Sequence, residues 1–137
     1  LMTEDFTLDS DEDFVVVYGV NHVAAGKATY ANTVLYARPR LNGIVSLYDS
    51  MYGDSAAEYL PDADSSKYYV LKMARTALDS HTAVIPYSTD IPNGRFYGAD
   101  NGTQLLIAYR AYVEPETGVG PSYYEIVYDR AIVFHKK

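Results

Sequence analysis

The 137-residue chain has neither cysteine nor tryptophan. Without thiols there is no disulfide framework, no thiolate nucleophile and no cysteine-ligated zinc. Without indole rings, the platform on which many sugar-binding sandwiches stack their ligand is missing. No apolar run approaches the roughly 18 residues that a membrane-spanning helix requires, so a soluble chain with no membrane partner is expected. Lysine and arginine number 11 against 18 acidic residues and are nowhere concentrated, which argues against nucleic acid or an anionic membrane surface as a partner.

Several motifs are missing as well. His22, His81 and His135 stand apart, without the i, i+4 or H-x-H spacing that puts two imidazoles on one metal, so no metal site is expected. Gly118 and Gly120 are followed by Pro121 rather than by the Lys-Ser/Thr of a phosphate-binding loop, and there is no Gly-x-Ser-x-Gly elbow. No cofactor is expected, and nothing in the chain assigns a compartment.

What is present is tyrosine, 15 residues of it beside 4 phenylalanines. Its ring packs on a pleated surface while its hydroxyl finds water or a partner, which favours strands and half-wet faces. The formal charge of −7 is concentrated: Glu4, Asp5, Asp9, Asp11, Glu12 and Asp13 fall in the first 13 residues, and the rest of the chain is close to neutral. Residues 1–13 are therefore read as an exposed acidic arm, pinned by Phe6 and Leu8, and residues 14–137 as a single β-rich domain. Asp9, Asp11 and Asp13 match the start of a calcium loop, but Phe14 and Val20 stand where its Gly and bidentate Glu belong.

Phe14 to Val20 carries no polar side chain apart from the tyrosine hydroxyl, which predicts a central strand covered on both faces. Thr33–Arg38 and Ile44–Asp49 flank Asn42-Gly43, which predicts a hairpin turning at that pair, with Pro39 outside the ladder. Strands are also predicted over Tyr68–Arg75, Thr82–Tyr87 and Gln104–Glu114, the last alternating cleanly, and a brief one at Arg95–Tyr97 beside Asn93-Gly94. Ala56–Leu60 fits one helical turn stopped by Pro61. Tyr123–Phe134 reads as a short helix followed by a closing strand. Short strands separated by turns predict an all-β, antiparallel sandwich or barrel with one or two short helices; an α+β sheet is the alternative.

The richest chemistry follows the first strand. His22 can serve as a general base, Lys27 as an electrostatic stabiliser and Tyr30 as an acid, with Asn21 and Asn32 orienting a ligand. Their spacing matches no known mechanism, and the structural account is that they satisfy loop backbone and pack at the surface. Arg110 and Arg130, with Glu114, Glu116 and Glu125, form a second candidate: a polar rim if the last two strands are neighbours, or ordinary cross-strand pairs if not. Tyrosines in or beside the loops, Tyr52, Tyr59, Tyr68, Tyr87, Tyr97 and Tyr123, form a third, since tyrosine is a low-entropy contact residue.

The function expected is a non-enzymatic binding or interaction module with a tyrosine-rich surface, taking a small polar ligand or a protein partner. A small cofactor-independent enzyme using His22, Lys27 and Tyr30, and a structural assembly domain, are the alternatives.

Overall fold

A computed structural model describes residues 1–61, 64–90 and 98–137. Among these, seven strands run in chain order: β1 (Phe14–Val20), β2 (Tyr30–Ala37), β3 (Asn42–Tyr48), β4 (Tyr68–Ala74), β5 (Thr82–Val84), β6 (Leu105–Tyr112) and β7 (Arg130–Phe134). They form a four-stranded sheet, β5-β4-β1-β7, and a three-stranded sheet, β3-β2-β6. Every pairing is antiparallel except β4 with β5. The fold is an all-β sandwich and not a closed barrel. The only helical segments described are three short 3₁₀ turns, Asp49–Met51, Ser65–Lys67 and Ser88–Asp90.

The alternation of side chains along each strand decides what the sheets enclose. Odd-numbered positions face inward throughout: Val15 and Val17 of β1, Leu35 of β2, Leu47 of β3, Leu71 and Met73 of β4, and Leu105 and Ile107 of β6 belong to one buried cluster. Register aligns them, with Val17 between Leu71 and Ala131, and Leu35 between Val45 and Ile107. At about 25 cal/mol per Å² of apolar surface, these layers supply the main stabilising term.

Several expectations need correction. β1 is central, between β4 and β7, but not covered on both faces: Phe14 and Val16 are half-buried on the outer side, where Phe14 stacks on Phe134 at 4.8 Å, and Tyr18 is exposed. The β2–β3 hairpin turns at residues 38–41, not at Asn42-Gly43. Leu41 takes the positive φ of 48°, and Asn42 and Gly43 enter the ladder opposite Ala37 and Tyr36, beside an irregularity at Leu35/Tyr36. A bulge absorbed the register that a tight Asn-Gly turn would otherwise have set. Pro39 does lie beyond the end of β2.

Residues 123–129 form turns and irregular backbone rather than a helix, and β7 alone is regular. Ala56–Leu60 makes its single turn, with Leu60 N–H donating to Ala56 O at 2.9 Å. The 82–87 strand is shorter than predicted, Thr82–Val84. The brief strand expected at Arg95–Tyr97, beside Asn93-Gly94, falls outside the described residues.

The acidic arm is not simply exposed. It lies against the free edge of β6 through bridges at Met2–Ala108 and Phe6–Leu105, and Leu8 is buried in the core. Asp13, at the end of the arm, is also buried. Its carboxylate accepts from Asp9 N, Ser10 N, Ser10 Oγ and Lys136 N at 2.7–3.2 Å, and contacts His135 Nδ1 at 2.9 Å. His135 and Lys136, at the C-terminal end, are therefore anchored to the arm. The Lys136 N–H, then His135 and Ser10, hold the Asp13 carboxyl far below the usual carboxylate range.

Candidate functional site

At the end of the sandwich opposite Asp13, the inward positions change character. β1 goes from Val15 and Val17 to Gly19, β2 from Leu35 and Thr33 to Ala31, and β6 from Ile107 and Tyr109 to Ala111. Gly19 is covered by Asp129, but Ala31 and Ala111 leave β2 and β6 without enough side-chain volume to meet the opposite sheet. A cavity of about 340 Å³ results, bordered by Ala31, Ala111, Tyr52, Tyr69 and Tyr109 and closed by His22, Ile126, Tyr128 and Asp129. That volume lies at the lower end for small-molecule sites.

Asp129 immediately precedes β7 and faces inward by the same parity as Ala131 and Val133. It lies across Gly19, where a Cβ would overlap the carboxylate. Glycine is needed here for close approach, as side chain meets backbone at this point. Asp129 Oδ1 is enclosed without a hydrogen-bond partner, as is the Tyr109 hydroxyl. Most buried polar groups in folded proteins are paired, so two orphans on one cavity need an explanation. Burial pushes the Asp129 carboxyl up to about 6, an effect that Tyr69 and His22 partly offset.

The tyrosines form the floor. Tyr52 and Tyr69 stack at 4.2 Å, and Thr33 Oγ1 links their hydroxyls at 3.1 and 3.5 Å. Burial, and then the charge of Asp129, raise the Tyr69 and Tyr109 hydroxyls well above the ordinary phenol range. Tyr52 is raised chiefly by burial. All three keep their protons at neutral pH and serve as hydrogen-bonding groups, not bases.

The sequence-predicted residues divide between this cavity and other places. His22 is buried in the cavity wall, and its Nε2 donates to Val127 O at 3.2 Å, which fixes the tautomer because a carbonyl can only accept. Lys27 does not border the cavity; it bridges Glu114 and Glu125 at 3.5 and 3.4 Å, and these two, Glu125 first, raise its pKa. Tyr30 sits on the outer face of β2 between the rings of Tyr48 and Tyr112, at 6.0 and 5.5 Å. Asn21 is buried and accepts from Ala24 N, organising the loop after β1.

Asn32 and Arg110 both border the cavity and pair across the ladder. Alternation puts their side chains on the outer face, opposite to Thr33 and Tyr109. Asn32 Oδ1 is a third buried atom without a partner, and Arg110 Nη2 donates to the Tyr36 hydroxyl at 2.8 Å. Arg130 borders a second groove on the outer side of β1 and β4, with Tyr18, Tyr68 and Tyr128. Because β6 and β7 belong to different sheets, Arg110 and Arg130 share no rim. Of the loop tyrosines, Tyr59, Tyr68 and Tyr123 are exposed, Tyr87 is half-buried, Tyr52 is in the core, and Tyr97 lies outside the described residues.

Sequence reasoning missed Asp129, Gly19, Tyr69 and Tyr109 as site residues. The signal was parity: counting back by two from Val133 and Ala131 turns Asp129 inward, and the same count along β1 ends on Gly19. A second cluster, Asp9, Asp13 and His135, has ligand-type atoms within 4.8 Å of one another. The hydrogen bonds to Asp13 account for that arrangement. No protein-family model matches the chain, and neither a curated protein nor a solved structure matches it.

Proposed function

We propose that the protein is a binding module whose inter-sheet cavity takes a small polar ligand. The observation that carries this reading is the pair of enclosed, unpartnered polar atoms, Tyr109 OH and Asp129 Oδ1, on two residues that border one cavity beside Ala31 and Ala111. A buried polar group without a partner costs about 1–3 kcal/mol, and a bound ligand offsets that cost. Rigid strands hold both groups, which favours a preformed site.

The enzyme alternative has less support. His22 borders the cavity, but Lys27 is engaged by two glutamates and Tyr30 packs on the outer face. The assembly alternative draws on the outer face of β1 and β7, where Ile132 and Phe134 are exposed.

The test is a thermal-shift screen against polar metabolites, repeated on Ala31→Leu, whose larger side chain fills the cavity. A ligand at 100 times its Kd raises stability by about 2.7 kcal/mol. That gain is expected to disappear in a folded Ala31→Leu variant. If the variant keeps the full ligand-induced shift, the binding site is elsewhere.

A further inference from the structure

We infer that β7 is an interface between two copies of this chain, which pair edge to edge across a two-fold axis at Ile132. This interface is independent of the cavity and follows from how the sheets end. An open strand edge offers a row of N–H and C=O groups to any other strand, and folded proteins usually blunt it. Three of the four sheet edges here are blunted. The arm covers β6, with Thr3 N–H donating to Ile107 O and Tyr109 N–H to Leu1 O. β5 is only three residues long, and β3 runs past the bulge at Leu35/Tyr36. β7 has no such protection: it is regular, free of proline and, among the described residues, paired only with β1.

Two hydrogen bonds fix which groups β7 offers. Asn21 N–H donates to Lys67 O at the end of the β1–β4 ladder, so alternation turns the odd residues of β1 toward β4 and Phe14, Val16 and Tyr18 toward β7. Lys136 N–H donates to Asp13, in keeping with that parity. The N–H and C=O groups of Ala131 and Val133 therefore point to the open side. With Ile132 on the axis, Ala131 faces the partner's Val133 and Val133 the partner's Ala131, each pair exchanging both main-chain hydrogen bonds.

The side chains suit this register. On the outer face Ile132 meets the partner's Ile132, and Arg130 lies across from the partner's Phe134, a cation beside an aromatic ring. Arg130, Ile132 and Phe134 are all exposed in the single chain, and the stacked Phe14 and Phe134 carry the apolar strip on to β1. Sliding the partner by two residues one way sets Arg130 against the partner's Lys136, which like charge opposes; sliding it the other way brings the irregular residues 128 and 129 into the ladder. What the edge needs opposite it, an apolar centre and a cation across from Phe134, is supplied by β7 itself. Because both copies use the same patch, association closes at a dimer and joins two four-stranded sheets into one.

Sedimentation equilibrium of the full chain, over a range spanning roughly 5 µM to 1 mM, is the test. A short strand pair is a small interface, so monomer and dimer are expected in balance at roughly 100 µM. Ile132→Lys, at an exposed position, places two ammonium groups on the axis and is expected to weaken association about tenfold. Tyr68→Lys, on the same outer face but two strands from the edge, is expected to leave it unchanged. Amide exchange at Ala131 and Val133, followed by NMR, is expected to slow as concentration rises. A monomer at every concentration would overturn the inference and leave the edge to a strand of another protein. So would a dimer that Ile132→Lys does not weaken, or one that Tyr68→Lys weakens as much, since the copies would then meet elsewhere or face to face. Species larger than a dimer would overturn the two-fold axis. Should Ile132→Lys fail to fold, the unaltered chain decides by itself: exchange at Ala131 and Val133 that does not depend on concentration would overturn the pairing.

Discussion

β1 and β7 form one antiparallel ladder with an aspartate just before each strand, and the two aspartates have opposite fates. Asp13, before β1, is surrounded by N–H and O–H groups from both ends of the chain. Asp129, before β7, lies across Gly19 with one oxygen unpartnered. The same residue type at equivalent places serves as a clamp where its hydrogen bonds are complete and as an opening where they are not. Natural sequences tend to break the rules of packing and polar satisfaction at functional sites, and here the breaches gather at one end of the sandwich.

The largest effect is expected at the clamp. Asp13→Ala leaves the N–H groups of Asp9, Ser10 and Lys136 without their acceptor and frees both chain ends. The melting temperature should fall by about 10 °C in a calorimetric scan. The pH dependence has a definite sign. The folded pKa of Asp13 is depressed, so its stabilising contribution is complete above the unfolded value of about 3.9 and is lost as pH falls through that value toward the folded one. A variant that melts like the parent at pH 7 would remove the clamp from the comparison.

Asp129 runs the other way. Its folded pKa, about 6, lies above its unfolded value, so the folded state holds the proton more tightly. Relative to its protonated form the group costs nothing below about pH 4, begins to weigh against the fold between about 4 and 6, and does so fully above. Asp129→Asn should therefore raise stability by about 1–3 kcal/mol at pH 8, with the gain shrinking to near zero by pH 4, measured by urea unfolding across that range. A loss of stability at pH 8 would show that the carboxylate supports the fold, and the contrast with Asp13 would fail.

Much of the architecture was legible in the sequence because it depends on period. Alternation in Gln104–Glu114 predicted β6, and the apolar run at Phe14 predicted the central β1. The site was less legible because it is made by what is missing. Ala31 and Ala111 are unremarkable singly, and only the register of β2 with β6 sets them side by side on the cavity. His22 and Asn32 drew notice for their chemistry. Asp129 did not, since a helix was expected over its segment and a helical period hides the parity that turns it inward. The turn at residues 38–41 was hidden for a related reason: Asn42-Gly43 looks like a turn locally, and a bulge decided otherwise.

The smallest expected effect tests whether backbone strain also gathers at the open end. Val113 follows β6 directly after Tyr112 and takes a φ of 48°. A β-branched residue in the left-handed region costs roughly 1–2 kcal/mol relative to one that adopts it freely. The conformation ends the β6 ladder, with the carbonyls of both Tyr112 and Val113 accepting from Thr29 N–H, and it leads into Glu114, buried against Lys27. Val113→Gly keeps that path and removes the Cβ clash, so a gain of about 1 kcal/mol is expected in urea unfolding, reduced by the entropy glycine adds to the unfolded chain. Because Val113 is exposed, little packing is lost with its side chain. A variant less stable than the parent would mean that the isopropyl group holds the turn in place, leaving the unpartnered Asp129 and Tyr109 to distinguish the two ends.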